Sequence, residues 1–350
     1  MSGVPQEDLR ASEAYRAAYR DGIDAVIRRR EAEADRARAE YFDPARLAQH
    51  RGRYVSDLVE TLGWPLTAYD PAAEPPEVTV REEKPYLDGV VMKRLQIEVL
   101  PGLPLYGLLF LPEGGRRRPL VIAQHGGGGT PELAAGIHGE NHYDGVIASL
   151  LEEDFVVFAP QLLLWGEGEG GTPGLPGYGM KHGRYSKDNL LRYLGGGIAA
   201  LEIDALRRAL DALCRLPEVD AARVGMIGLS YGGFYTQMLS AVDERVRAAS
   251  SNAFFNDRYA YCWGDFAWKG AGLRMKDAEI CALIAPRALC VHVGTADPVF
   301  NIDTARPELD RLKSFYAAAG AADRLQVIVS GAAHRLTPQK QEIAFLKRWL

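Results

Sequence analysis

Cysteine is scarce in this chain, four residues in 350, and none of the four stands in a C-x-x-C pair. Cys214, Cys262, Cys281 and Cys290 therefore read as free thiols in or near a core rather than as zinc ligands or a redox couple. An excess of positive charge is also missing. The 41 Lys and Arg stand against 46 Asp and Glu, a net charge of −5, which excludes the basic footprint of a nucleic-acid or anionic-membrane binder. No apolar run approaches the ~20 residues of a membrane span. The N-terminal MSGVPQEDLR lacks the apolar core of a signal peptide, and no internal repeat is visible, so a cytoplasmic globular protein is expected.

The chain changes texture along its length. From Gln6 to Glu40 it is rich in Ala, Arg and Glu, breaks at Asp43-Pro44, and reads as helical again through Leu58 and Leu62. Residues 1–75 are thus an N-terminal helical extension: a solvated arm, or a lid or homo-oligomerisation element. Strands follow at Val78 to Arg81, Val90 to Val99 and Leu105 to Leu111, with turn residues between them. Strand and helix then alternate. Strands are expected at 120–123, 155–159, 224–229, 246–253, 288–293 and 325–329, and helices near 143–151, at 198–213, at 305–319 and from Pro338. Such a pattern predicts an α/β domain over 76–350, with a mostly parallel sheet covered on both faces.

Glycine is plentiful, and its clustering is informative. In VGMIGLSYGGFYTQ, Ser230 lies between Gly228 and Gly232, after the apolar run Val224, Met226, Ile227, Leu229 and before Phe234, Met238, Leu239 and Val242 at helical spacing. Strand, tight turn and helix in that order are the context a G-x-S-x-G nucleophile requires. Side chains at Gly228 or Gly232 would collide with the adjoining strand and helix. Together with the preceding LRRALDALCRLPEVDAARVGMIGLSYGG, this stretch resembles the α/β-hydrolase fold, in particular the acetyl xylan esterase, dienelactone hydrolase and prolyl-oligopeptidase-like group. The resemblance covers about residues 77–350.

That resemblance implies partners in the order serine, acid, histidine. GTADPVF places Asp297 one loop past the strand at 288–293, and SGAAHRLTP places His334 one loop past the strand at 325–329, both at the sheet edge where open α/β folds build their sites. His334 has the chemistry to take the serine proton and return it to the leaving alcohol, with Asp297 fixing the imidazole tautomer; Asp303 is a rival acid. QHGGGGT, Gln124 to Thr130, stands where the fold builds an oxyanion hole. The expected donors are the N–H of Tyr231 and that of Gly127 or Gly126, since relatives carry a bulky residue at the Gly127 position. Single donors of this kind are worth ~3 kcal/mol.

Other motifs weigh less. GEGEGG (166–171) matches G-x-G-x-x-G, but the following TPGLPGYG cannot open a helix, so no dinucleotide is expected. HGENH (138–142) spaces two histidines like H-E-x-x-H with Glu140 one place late, so no metal is expected either. His292 alternates within a strand and reads as a packed, hydrogen-bonded histidine. Trp165, Tyr259, Tyr261, Trp263 and Trp268 fall in loops beyond sheet strands, where they suit a sugar face or apolar acyl group, or simply packing.

The expectation is a cofactor-free serine esterase for a small-molecule ester, with a short acyl group on a carbohydrate or similar alcohol. A C–C bond or lactone hydrolase and a catalytically silent binding protein are the alternatives. A dienelactone hydrolase proper uses cysteine where this chain has Ser230. A prolyl oligopeptidase needs an N-terminal propeller that ~75 residues cannot form.

Overall fold

The computed structural model describes residues 3–139, 142–162, 183–336 and 339–350. Two helices open it, α1 (Glu13–Tyr41) and α2 (Leu47–Leu62). Between them Pro44 starts a 3-10 turn capped by the Asp43 carboxylate on the Ala45 N–H, because proline has no N–H to continue α1. Along α1 only Ala34 and Arg38 are buried. In contrast, α2 turns Leu47, Tyr54, Leu58 and Leu62 into the same core that holds Phe234 and Leu239.

Nine strands follow: β1 (Val78–Leu87), β2 (Val90–Leu100), β3 (Leu103–Pro112), β4 (Arg118–Gln124), β5 (Val156–Pro160), β6 (Val219–Leu229), β7 (Val246–Asn252), β8 (Ala288–Gly294) and β9 (Leu325–Ser330). The described strands make one sheet in the order β1-β2-β3-β5-β4-β6-β7-β8-β9. Pairing is antiparallel from β1 through β3 to β5 and parallel from there to β9. Strands β4, β5 and β8 are buried over their whole length, as a sheet covered on both faces demands.

Eight more helices complete the described chain: α3 (Pro131–Ala134), α4 (Val146–Glu152), α5 (Arg184–Tyr193), α6 (Ile198–Leu213), α7 (Tyr231–Val242), α8 (Asp277–Ala282), α9 (Ile302–Ala318) and α10 (Lys340–Trp349). The core divides into two layers. Helices α4 and α10 cover one face through Ile147, Leu150, Ile343 and Leu346. On the other face, α2, α6, α7 and α9 pack through Leu58, Leu206, Phe234 and Leu312.

Every strand and main-domain helix expected from the sequence is present. The last helix begins at Lys340; Pro338, where it was expected to start, lies outside the described residues. Helices α3, α5 and α8 were not foreseen, since α5 follows the glycine- and proline-rich 166–178 stretch and α3 and α8 are only four and six residues long. Because β6, β8 and β9 run parallel, their C-terminal ends lie at one edge, and the loops after Leu229, Gly294 and Ser330 open there together.

Candidate active site

Ser230 caps the N-terminus of α7 with φ +57 and ψ −119, a backbone conformation that non-glycine residues avoid. The strain is held from both sides. The Ser230 N–H donates to the Asn252 carbonyl at 2.8 Å, and its carbonyl accepts the Phe234 N–H at 3.0 Å. The neighbouring glycines have the steric role inferred from the sequence. A Cβ on Gly228 would stand 2.2 Å from the Gly232 carbonyl oxygen in α7, and one on Gly232 would stand 2.2 Å from the Gln124 carbonyl oxygen in β4.

Asp297 and His334 meet across the loops after β8 and β9, with Oδ2 2.8 Å from Nδ1. The other carboxylate oxygen accepts the N–H groups of Val299 at 2.7 Å and Phe300 at 3.1 Å, which fixes the carboxylate plane. Burial pushes the Asp297 carboxyl up, but His334 and the two N–H groups outweigh it and hold its pKa below the ordinary aspartate value. Asp303, the rival acid, sits exposed in the first turn of α9, where the Asn301 side chain caps its N–H. Ser230 and His334 border one cavity of about 350 Å3, together with Gly126, Gly127, Tyr143, Tyr185, Tyr231 and Trp263. Among the described residues no hydrogen bond joins the Ser230 hydroxyl to the His334 imidazole. Contacts of this kind commonly tighten only when substrate is bound.

The glycine loop after β4 lies directly on the Ser230 turn: a Cβ on Gly126 would come within 2.9 Å of the Leu229 carbonyl oxygen and 3.2 Å of the Ser230 Cβ. The two candidate donors in this loop differ in engagement. The Gly126 N–H donates to the Tyr143 hydroxyl at 2.9 Å. Gly127 is exposed toward the cavity, and its N–H has no partner among the described residues. The Tyr231 N–H belongs to the first turn of α7, next to the serine.

Through Tyr231 the cavity wall connects to an ionic cluster that the sequence did not reveal. Arg184 donates to Asp265 at 2.7 Å, to both oxygens of Glu202 at 2.9 and 2.8 Å, and to the Tyr235 hydroxyl at 2.9 Å. The Tyr231 hydroxyl donates to the other Asp265 oxygen at 3.3 Å, and its ring packs against Trp263 and Phe266, which also touch each other. The cluster thereby anchors Tyr231, the residue after Ser230. Its members lie on α5, α6, α7 and the loop after β7, far apart in sequence and without a motif among them.

The aromatic residues divide. Trp263 lines the cavity and stacks on Tyr231, with ring centroids 5.9 Å apart. Trp268 does not border that cavity: it packs behind Phe234 and lines a separate apolar pocket with Leu58 and Met275. Tyr259 lines that second pocket too, and Tyr261 donates no contact to the cavity but accepts the Asn301 N–H at 2.7 Å. Trp165 lies outside the described residues, as does the GEGEGG stretch. Of the HGENH segment, His142 borders the cavity, while Glu140 and Asn141 lie outside the described residues. Tyr143, Tyr185 and Val299 were missed as lining residues because each belongs to a different loop or helix start.

His292 is buried, with Nδ1 2.5 Å from Glu342 and Nε2 2.7 Å from the Ser330 hydroxyl, which fits its reading as a packed, hydrogen-bonded residue. Cys281 and Cys290 are buried, and burial pushes both thiols well above the ordinary value. No helix among the described residues is long and apolar enough to cross a membrane.

Comparison with known proteins agrees with this architecture. The curated protein YtaP of Bacillus subtilis (strain 168), whose name describes it provisionally as a hydrolase, is 28% identical over 155 residues, 41% of this chain and 51% of that one. The matched region thus spans about half the length of this curated relative. A structure described provisionally as an acetyl xylan esterase from Bacteroides fragilis NCTC 9343 superposes with a TM-score of 0.71 at 14% identity, covering 91% of this chain and 94% of that one. The glucuronoyl esterase from Solibacter usitatus gives 0.64 at 17% identity, covering 87% and 93%. These likenesses establish the α/β-hydrolase fold. Residues 107–345 match the Dienelactone hydrolase family, and the chain belongs to it.

Proposed function

We propose that the protein is a serine hydrolase of carboxylic esters, with Ser230 as nucleophile, His334 as general base and acid, and Asp297 orienting the imidazole. The observation that carries this reading is the pairing of a strained Ser230 turn with a hydrogen-bonded Asp297–His334 couple on the wall of the same cavity. Proton transfer from Ser230 to His334 Nε2 frees the alkoxide to attack the ester carbonyl, and the imidazolium returns the proton to the leaving alcohol. Water then enters by the same route and releases the acid. The N–H groups of Tyr231 and Gly127 are proposed as oxyanion donors, since Gly126 already gives its N–H to Tyr143.

The substrate reading is a short acyl group on a carbohydrate or similar small alcohol. The hydroxyls of Tyr143 and Tyr185 and the Trp263 ring on the cavity wall suit hydroxyl groups and a sugar face. A cytoplasmic location remains part of the proposal. The test is nitrophenol release from p-nitrophenyl esters from acetyl to octanoyl, beside Ser230→Ala. Turnover greatest on acetyl and lowered by at least about 10^3-fold in the variant is expected. No release from any ester, or release that the variant leaves unchanged, removes the serine-esterase reading and favours a C–C bond hydrolase or a binding role.

A further inference from the structure

We infer that His125 is a positioning residue for the oxyanion site: its imidazole holds the Gly126–Gly127 peptide so that the Gly127 N–H faces the Ser230 cavity. This inference rests on the reading of Gly127 as an oxyanion donor.

The tautomer follows from the neighbours. His125 is fully buried, with Nδ1 2.7 Å from the Gly126 carbonyl oxygen. On its other side, Nε2 faces the backbone N–H of Leu162 at 3.3 Å and the side-chain amide of Gln161 at 3.1 Å. A carbonyl can only accept and a backbone N–H can only donate, so the proton sits on Nδ1 and Nε2 is bare. Burial, outweighing the Gly126 hydrogen bond and the distant Glu202 and Glu132 carboxylates, keeps the ring neutral.

The consequence concerns one peptide plane. The carbonyl of Gly126 and the N–H of Gly127 belong to the same unit, and in a trans peptide they point in opposite directions. Holding that carbonyl on the His125 side therefore aims the N–H away from the imidazole, where Gly127 borders the cavity. The Gly129 N–H donates to the same oxygen at 3.0 Å and closes the turn. With four consecutive glycines, Gly126 to Gly129, the loop has no side chains of its own to resist a flip of this plane. His125 supplies that resistance from the end of β4, a rigid element.

Two isosteric variants separate this role from simple loop anchoring. Asparagine places an amide N–H near the Nδ1 position and keeps the bond to Gly126, whereas glutamine places its amide near the Nε2 position and keeps the bond to Leu162. Kinetics on p-nitrophenyl acetate, with affinity for a phenylboronic acid as a tetrahedral mimic, are measured on the full chain. His125→Gln is expected to lose about 10^2-fold in kcat and a similar factor in boronate affinity, with KM within about threefold of the parent. His125→Asn is expected to retain kcat within about tenfold. Equal losses in both variants, no loss in either, or a loss confined to Asn overturns the proposal. Should either variant fail to fold, 15N-histidine spectra of the parent protein decide: a His125 protonated on Nε2 overturns it, and one protonated on Nδ1 supports it. If Ser230→Ala keeps its activity, the serine reading fails first and this one falls with it.

Discussion

Ser230 shows how a single residue concentrates the demands of the site. Its φ of +57 places the side chain at the crest of the turn between β6 and α7, and Gly228 and Gly232 give the chain room to make that turn. The contacts a side chain would meet there are backbone atoms on both sides, which no rotamer change relieves. Gly232→Ala is therefore expected to cost about 3 kcal/mol or more, read as a fall in the urea midpoint at unchanged m-value. An alanine tolerated there within about 0.5 kcal/mol would show that β4 and α7 are free to move apart. Asp297 and His334 were legible at this scale because a loop acid and a loop histidine, each one loop past a strand, have few structural reasons to recur in that order. Trp268 was not distinguishable from Trp263 in sequence: both follow β7, and only packing against Phe234 turns Trp268 away from the cavity.

Among the elements, α2 supports the site without lining it, and α5 supports it through Arg184 beside the cavity residue Tyr185. Helix α2 buries Leu58 at 4% exposure against the layer that includes α7. Leu58→Ala is expected to lower stability by about 2–5 kcal/mol in a single cooperative transition followed by both fluorescence and circular dichroism. Two separated transitions would show that the N-terminal helices fold apart from the sheet. At the start of α5, Arg184 is the shared cation of Glu202 and Asp265, and all three side chains are largely or fully buried. Arg184→Met leaves two carboxylates facing each other without a cation, and a loss of about 3–5 kcal/mol is expected in thermal or chemical denaturation. Because Tyr231 hangs from the same Asp265, kcat is expected to fall in that variant as well. The helical periodicity of α6 and α7 was visible in sequence, but the pairing of α5 with the loop after β7 had no local signature.

For the molecule as a whole, acid is the condition that tests the arrangement. His125 has its pKa lowered from 6.5 to about 4 by burial, so the unfolded chain binds a proton between those values that the folded chain refuses. Its contribution is complete above pH 6.5, is lost as pH falls toward 4, and amounts to about 3 kcal/mol over that window. Asp297, held below the ordinary aspartate value, withdraws its own contribution only at lower pH. His125→Asn, titrated beside the parent protein, is expected to show a flatter rise of unfolding free energy from pH 4 to 6.5; parallel curves would show that the histidine is charged or solvated in the folded state. The sequence by itself determined the order of strands and helices, the mostly parallel sheet, the Ser230 turn and the loops that carry Asp297 and His334. These depend on local periodicity, on glycine sterics and on the rule that one sheet edge gathers the loops. Only the tertiary structure decided that Gly126 gives its N–H to Tyr143, that His125 faces a carbonyl, that Arg184 ties α5 to α6 and to the loop after β7, and which tryptophan reaches the cavity. Apart from the contact between the neighbours His125 and Gly126, those outcomes depend on directions and distances between segments 17 to 81 residues apart, and neither residue type nor spacing along the chain encodes them.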